Sequence, residues 1–231
     1  MAFVRLRDDL YAVHSGLVWS YLLVHGDDVV LIDAGLYGVE GAVKRWFKET
    51  CRKPGALRAI LLTHGHLDHI GGAEALRRWS GAPVFLHEAD WEIARGVYRY
   101  PRRARWCGRL ERLGRAIFRV ERPTVLEPLL ATPLPWWGGL APVHLPGHTP
   151  GHCGFYAESR RIFFCGDLLL HLWNRASFPA RSLNVDSEQV RESALVAARL
   201  DADWVYPGHH RRLERNLMTD LREFAAKRSA S

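Results

Sequence analysis

The chain has 231 residues, 48% of them hydrophobic and 25% charged. That is enough for one sizeable core, and no apolar run approaches the roughly 20 residues that cross a bilayer. Four cysteines without a C-x-x-C pair exclude a disulfide scaffold, and Asp8 and Asp9 interrupt the stretch a secretory signal would need, so the expected compartment is the cytoplasm. The net charge of +7 is local: the ten arginines and two acids between Arg95 and Arg122 carry +8, leaving the remainder close to neutral.

In chain order, FVRLR, LYAVHS, LVWSYLLVHG and DVVLID are rich in β-branched or aromatic residues and are separated by Gly or Asp turns, which predicts an N-terminal β-meander. Apolar residues at 39, 43, 46 and 47 predict a helix that ends before Gly55. Strand 58–63 follows, then a histidine-rich loop, helix AEALRRWSG, strand PVFLH and the short helix EADWEIARG. Within the arginine stretch, Trp106, Leu110, Leu113 and Ile117 fall at helical spacing, with Phe118 beside them, which predicts an amphipathic basic helix. The chain returns to β with APVHLP, CGFYAE and RIFFCG, then predicts a helix over SEQVRESALVAARL, a strand DWVYP and a terminal helix after Arg212. The expectation is a single domain over 1–231, with residues 95–122 as an insert and β-rich halves interleaved with helices.

Chemistry concentrates in LLTHGHLDHIGG, which places His64, His66, Asp68 and His69 within six residues directly after a strand. His148 in PGHTPGH, Asp167 in FCGD and His209 in YPGH repeat that placement just past other strands. Carboxyl ends of strands are where open sheets gather ligand sites. Five imidazoles and two carboxylates suit a pair of borderline divalent ions such as Zn²⁺, with Fe or Mn as alternatives, and need no cysteine.

From Ile32–Gly35 (IDAG) through THGHLDHIGG, PGHTPGH and FCGD to Tyr206–His209 (YPGH), the chain resembles the metallo-β-lactamase superfamily of metallohydrolases. The resemblance implies an α+β fold, a four-layer αββα sandwich with metals at one edge of two packed sheets. Carried over, His64, His66 and His148 would hold one metal, Asp68, His69 and His209 the other, and Asp167 would bridge them. Asp68 would also orient the attacking water as the catalytic carboxylate. Asp33 would buttress the histidine loop, His152 would act as a hydrogen-bonder beside the site, and His171, four residues beyond Asp167, is a candidate to face the substrate.

These roles imply hydrolysis of a small ester, lactone or thioester by a water shared between two metals. Alternatives are a mononuclear iron persulfide dioxygenase, which shares the first ligand set, and a phosphodiesterase or nuclease. Asp167 argues against antibiotic hydrolysis, the 22 residues after His209 against a glutathione thioesterase with an added helical domain, and GDLLLHLW against a lactonase with a tyrosine after the bridging aspartate. The expected partner is a small molecule, with an anionic group meeting the arginine insert. No nucleic acid is expected, and the insert reads as a lid over the pocket or a homodimer contact.

Overall fold

The computed structural model describes residues 3–16, 18–36, 38–172, 175–210 and 216–229. Leu17, expected to open a strand, and residues 211–215, where the terminal helix was expected to begin, lie outside them.

The first half of the chain runs β1 (Phe3–Arg7), β2 (Leu10–Ser15), β3 (Val18–His25), β4 (Asp28–Ile32), α1 (Val39–Glu49), β5 (Leu57–Leu61), α2 (Leu67–Ile70), α3 (Ala73–Ser80), β6 (Val84–Leu86), α4 (Trp91–Ala94), α5 (Arg105–Ile117) and β7 (Glu127–Pro128). Its strands form one sheet in chain order, antiparallel from β1 to β4 and parallel from β4 to β7. The second half runs β8 (Ala141–His144), β9 (Cys153–Ala157), β10 (Ile162–Gly166), β11 (Leu170–Leu172), β12 (Arg175–Ser177), α6 (Ser187–Ala198), β13 (Trp204–Pro207) and α7 (Met218–Ser229). A second sheet has the order β13-β10-β9-β8, with β13 parallel to β10, and β11 and β12 make a separate hairpin.

The period of two along each strand builds the layers. Leu22, Val29 and Leu31 point to α1 and α3, against Val43, Trp46, Phe47 and Leu76. Their alternates Tyr21, Leu23, Val30 and Ile32 face the second sheet and pack on Phe155, Ala157, Ile162 and Phe164. The opposite faces of β9, β10 and β13, carrying Tyr156, Phe163, Cys165 and Val205, rest on Val190, Ala194 and Ala197 of α6 and Leu221 of α7. Helices, sheet, sheet, helices: the four expected layers are present. Local signals set the helix ends too. Asp186 accepts from the Glu188 and Gln189 amides at the start of α6, and Gly81, at φ +79°, closes α3.

Three elements differ from expectation because they are too short to show a period. These are the single turn α2 inside the histidine loop, the two-residue β7, and the three-residue strands of the β11–β12 hairpin. The arginine-rich helix forms over Arg105–Ile117, yet its apolar stripe is not buried. Trp106, Leu110, Leu113 and Ile117 are 53–62% exposed, while Cys107 and Glu111 face inward.

Candidate metal centre

The donors predicted from sequence meet at one edge of the two sheets. His64, His66, Asp68 and His69 follow β5, His148 follows β8, Asp167 follows β10 and His209 follows β13. Three overlapping groups have donor atoms within 4.8 Å of one another: His64/His66/His148, His64/His69/Asp167 and Asp68/His69/His209. The backbone makes room at Gly166 and Gly208. Gly166 adopts φ +50°, and a Cβ there would lie 2.7 Å from His152 Nε2, while one on Gly208 would lie 2.6 Å from Asp167 Oδ1. From the first sheet, the Trp19 indole donates to the His210 carbonyl at 2.5 Å and the Tyr21 hydroxyl to the Pro207 carbonyl at 2.6 Å, which pins the His209 loop.

Hydrogen bonds fix which ring nitrogen of each imidazole faces the centre. The Thr63 hydroxyl donates to the Asp33 carboxylate, so its oxygen accepts from His64 Nδ1 at 3.0 Å and leaves the His64 Nε2 lone pair inward. His148 Nδ1 donates to Asn184 Oδ1 at 3.0 Å, which turns its Nε2 inward in the same way. His66 Nδ1 lies 3.1 Å from His64 Nε2 and 3.0 Å from His148 Nε2. Three nitrogens this close share at most one proton between them, whereas one cation satisfies all three lone pairs.

On the other side, His69 Nδ1 donates to Asp33 Oδ2 at 2.8 Å, which fixes the orientation of that ring. His69 Nε2 and Asp167 Oδ1 stand 3.3 Å apart, and both are buried without a hydrogen-bond partner among the described residues. His209 Nε2 is 3.3 Å from both Asp68 Oδ2 and Asp167 Oδ2. His152 Nδ1 donates to the Leu145 carbonyl at 3.1 Å, and its Nε2 accepts the Asp167 amide at 3.0 Å, positioning that residue.

The two sides differ in charge. Burial pushes His66 and His148 down to about 4 and His152 to about 3, and lowers His64 strongly, so this side is a set of neutral imidazoles. Burial would raise Asp68 and Asp167, but His69 and His209 outweigh it and hold both well below the usual carboxylate range. Burial would likewise lower His69 and His209, yet the facing carboxylates, Asp167 foremost, raise them, His209 to about 10. Two carboxylates thus draw protons onto two histidines. A dication among the same atoms balances that charge and leaves both rings as neutral ligands, so the donor set fits divalent metal.

Other residues that shape the centre carried weak signals or none. Asp90, fully buried, accepts from the Gly65 amide, the Thr149 hydroxyl and the Gly151 amide, tying the histidine loop to the PGHTPGH loop. It sits past the end of β6, a placement that could have flagged it. Glu111, one of two acids among ten arginines, accepts the Leu67 amide at 3.1 Å and pairs with Arg115 at 2.8 Å. Cys107 Sγ lies 3.5 Å from His66 Nε2. Asn184 had no sequence signal.

The centre floors a cavity of about 620 Å³. His66, Asp68, His148, Asp167 and His209 line its base, and Leu110, Leu113 and Ile117 of α5, with Phe118 just after it, share the wall with Leu170 and Leu172 of β11. No arginine or lysine lines it among the described residues. His171 departs from expectation. Strand alternation sends Leu170 and Leu172 to the cavity and His171 to the other side, where its buried ring rests 4.3 Å from that of His210.

The description "Metallo-beta-lactamase superfamily" belongs to the family model that matches residues 15–209. The probable metallo-hydrolase YybB of Bacillus subtilis (strain 168) is 28% identical over 192 residues, 83% of this chain and 80% of that protein. The hydroxyacylglutathione hydrolase GloC of Haemophilus influenzae is 29% identical over 128 residues, spanning 49% of this chain and 50% of GloC. Among solved structures, TTHA1623 in a di-iron-bound form superposes with a TM-score of 0.66 at 29% identity, covering 86% of this chain and 91% of that one. Among the described residues no helix is long and apolar enough to cross a membrane. With the four-layer sandwich, the convergent His/Asp donors and this match over most of its length, the chain belongs to the metallo-beta-lactamase superfamily of metal-dependent hydrolases.

Proposed function

We propose that the chain, acting as one domain with residues 95–122 as an insert, is a dinuclear metal-dependent hydrolase. Its substrate is a small ester, lactone or thioester whose acyl part is apolar. The observation that carries this reading is the convergence of seven His/Asp donors, five of which line the base of an apolar cavity. His64, His66 and His148 would hold one ion, Asp68, His69 and His209 the other, and Asp167 would reach both. Two divalent ions there would supply an acidified water and a Lewis acid for a carbonyl oxygen. Asp68, at the cavity surface and 3.3 Å from His209, would orient that water and take its proton. Leu110, Leu113 and Ile117 would hold the acyl group and exclude bulk water.

The second donor group, Asp68/His69/His209, favours two metals over the single iron of a persulfide dioxygenase. The lack of cationic lining among the described residues favours a carbonyl over a phosphodiester. GloC, by its name a hydroxyacylglutathione hydrolase, lends support to a thioester. Zinc is the expected ion, with iron as the alternative given the di-iron neighbour. Four free cysteines suit a cytoplasmic setting.

Elemental analysis of protein purified without added metal, run beside a panel of esters, lactones, thioesters and phosphodiesters, tests the proposal. About two metal ions per chain, with turnover of carbonyl substrates, is the expected result. About one iron per chain, with oxygen consumption on a persulfide and no hydrolysis, overturns it.

A further inference from the structure

Helix α5 separates two cavities of opposite character. Its Leu110–Leu113–Ile117 face closes the apolar space above the metal donors, whereas Arg105, Arg109 and Arg112 turn toward a second cavity of about 390 Å³. Arg99 and Arg115 join these arginines, and the rings of Tyr98 and Tyr100 form part of the wall. A volume of this size falls within the range of small-ligand sites, which begins at roughly 300 Å³.

The charge in this cavity is uncompensated. Glu111 is the one acid lining it among the described residues, and both its oxygens are engaged, Oε1 by the Leu67 amide and Oε2 by Arg115. Arg115 is spent in turn on Glu111 and on the carbonyls of Gly65, Ile93 and Ala94. Arg99, Arg105, Arg109 and Arg112 have no carboxylate partner among the described residues, and Arg109 lies 4.8 Å over the ring of Trp106. Four guanidinium groups around one concavity repel one another unless an anion joins them. Their forked donors match phosphate oxygens in particular.

The cavity is also wired to the metal loop. The Tyr100 ring stacks on His66 with centroids 6.2 Å apart, Glu111 holds the amide that opens α2, and Arg115 holds the carbonyl between His64 and His66.

We propose that this arginine cavity is a binding site for a phosphate-ester anion, distinct from the metal centre, and that an occupant there is sensed at the histidine loop through Glu111, Arg115 and Tyr100. Such an anion has two sources, the charged head of the substrate whose acyl end enters the apolar cavity, or a separate phosphorylated effector. The binding itself does not depend on the hydrolase reading.

The test titrates pyrophosphate into metal-loaded wild type, into the R105Q/R109Q/R112Q variant, and into an R5Q/R58Q/R199Q variant that loses equal charge outside the cavity. Calorimetry gives the dissociation constants. The expected result is affinity at least about tenfold weaker in the cavity variant alone. Equal affinity in wild type and the cavity variant would place the anion at the metals and overturn the proposal. Equal weakening in both variants would reduce the effect to net charge and overturn it as well. Kinetics then separates the sources. Competition by pyrophosphate against a phosphorylated ester, with a raised KM for that ester in the cavity variant only, identifies a substrate head. A pyrophosphate-dependent change in turnover of a neutral ester, absent from the cavity variant, identifies an effector.

Discussion

The histidine loop and helix α5 face each other across one cavity, yet they are held in opposite ways. Around the loop, His64, His66 and His69 are at most 4% exposed, and the carboxylates of Asp33, Asp90 and Glu111 fix its backbone and rings from three directions. Helix α5 shows its apolar stripe to open space and is anchored at a few polar points: Glu111 to Leu67, Arg115 to three carbonyls, and Arg103 of the preceding turn to Asp186 and the Val185 carbonyl. A buried, cross-braced loop keeps donor atoms within tenths of an ångström, as metal chemistry requires. A wall pinned at a few points can change its side chains without disturbing the donors.

The sharpest way to break that contrast is to remove a donor. Asp167 touches His69, His148 and His209, so Asp167→Ala leaves those rings without the carboxylate that links them. We expect kcat/KM to fall by about a thousandfold or more, with bound metal reduced and the protein still folded. Metal analysis, circular dichroism and kinetics on one preparation check this. A fully active Asp167→Ala enzyme would sink the ligand assignment.

Next in size is a pH effect on the bracing of the loop. Burial pushes the Asp90 carboxyl up from its ordinary value near 3.8 to about 6, despite hydrogen bonds from Thr149, Gly151 and Gly65. A carboxyl raised on folding contributes stability that is complete below its unfolded value and is lost as pH rises through the folded one. In Asp90→Asn the side chain does not titrate. Wild type should therefore lose about 3 kcal/mol relative to the variant between pH ~4 and pH ~7. The depressed carboxyls of Asp68 and Asp167 act in the opposite sense but are common to both chains, so they cancel in the difference. Urea unfolding at four pH values, with a chelator present to remove metal from the slope, measures it. A difference that stays flat with pH means Asp90 is ionised throughout.

The same contrast explains what could be read from the sequence. The donors were legible because each is a His or Asp past a strand, whereas the four layers followed from the family resemblance: Tyr21, Leu22 and Leu23 are all apolar, and only the fold shows that Leu22 enters one core and its neighbours the other. His171 was not, since a three-residue strand is too short to reveal which face it turns to the cavity. For α5 the 3.6-residue period correctly grouped Leu110, Leu113 and Ile117, but a period says which side chains share a face and not what lies opposite it. Nor does a charge total say which side of a helix its arginines occupy. The pair of His148 with Asn184 depends on a contact between loops 36 residues apart, which no local pattern announces.

The smallest expected effect tests the wall. Leu113 is 59% exposed and lines the apolar cavity, so Leu113→Ala removes contact area that matters only when an acyl chain covers it. The folded protein should barely notice, with a stability change within about 0.5 kcal/mol. A medium-chain ester that lies along α5 should lose about 1 kcal/mol of binding, a several-fold drop in kcat/KM, whereas an acetyl ester that ends near the metals should lose almost nothing. The measurement is therefore a chain-length series on both proteins rather than a single substrate. A ratio of wild type to variant that climbs with acyl length and then levels off gives the depth of the cavity along α5. A ratio that is constant across the series means that the chain leaves the site by another route, and that the exposed stripe serves something other than the substrate.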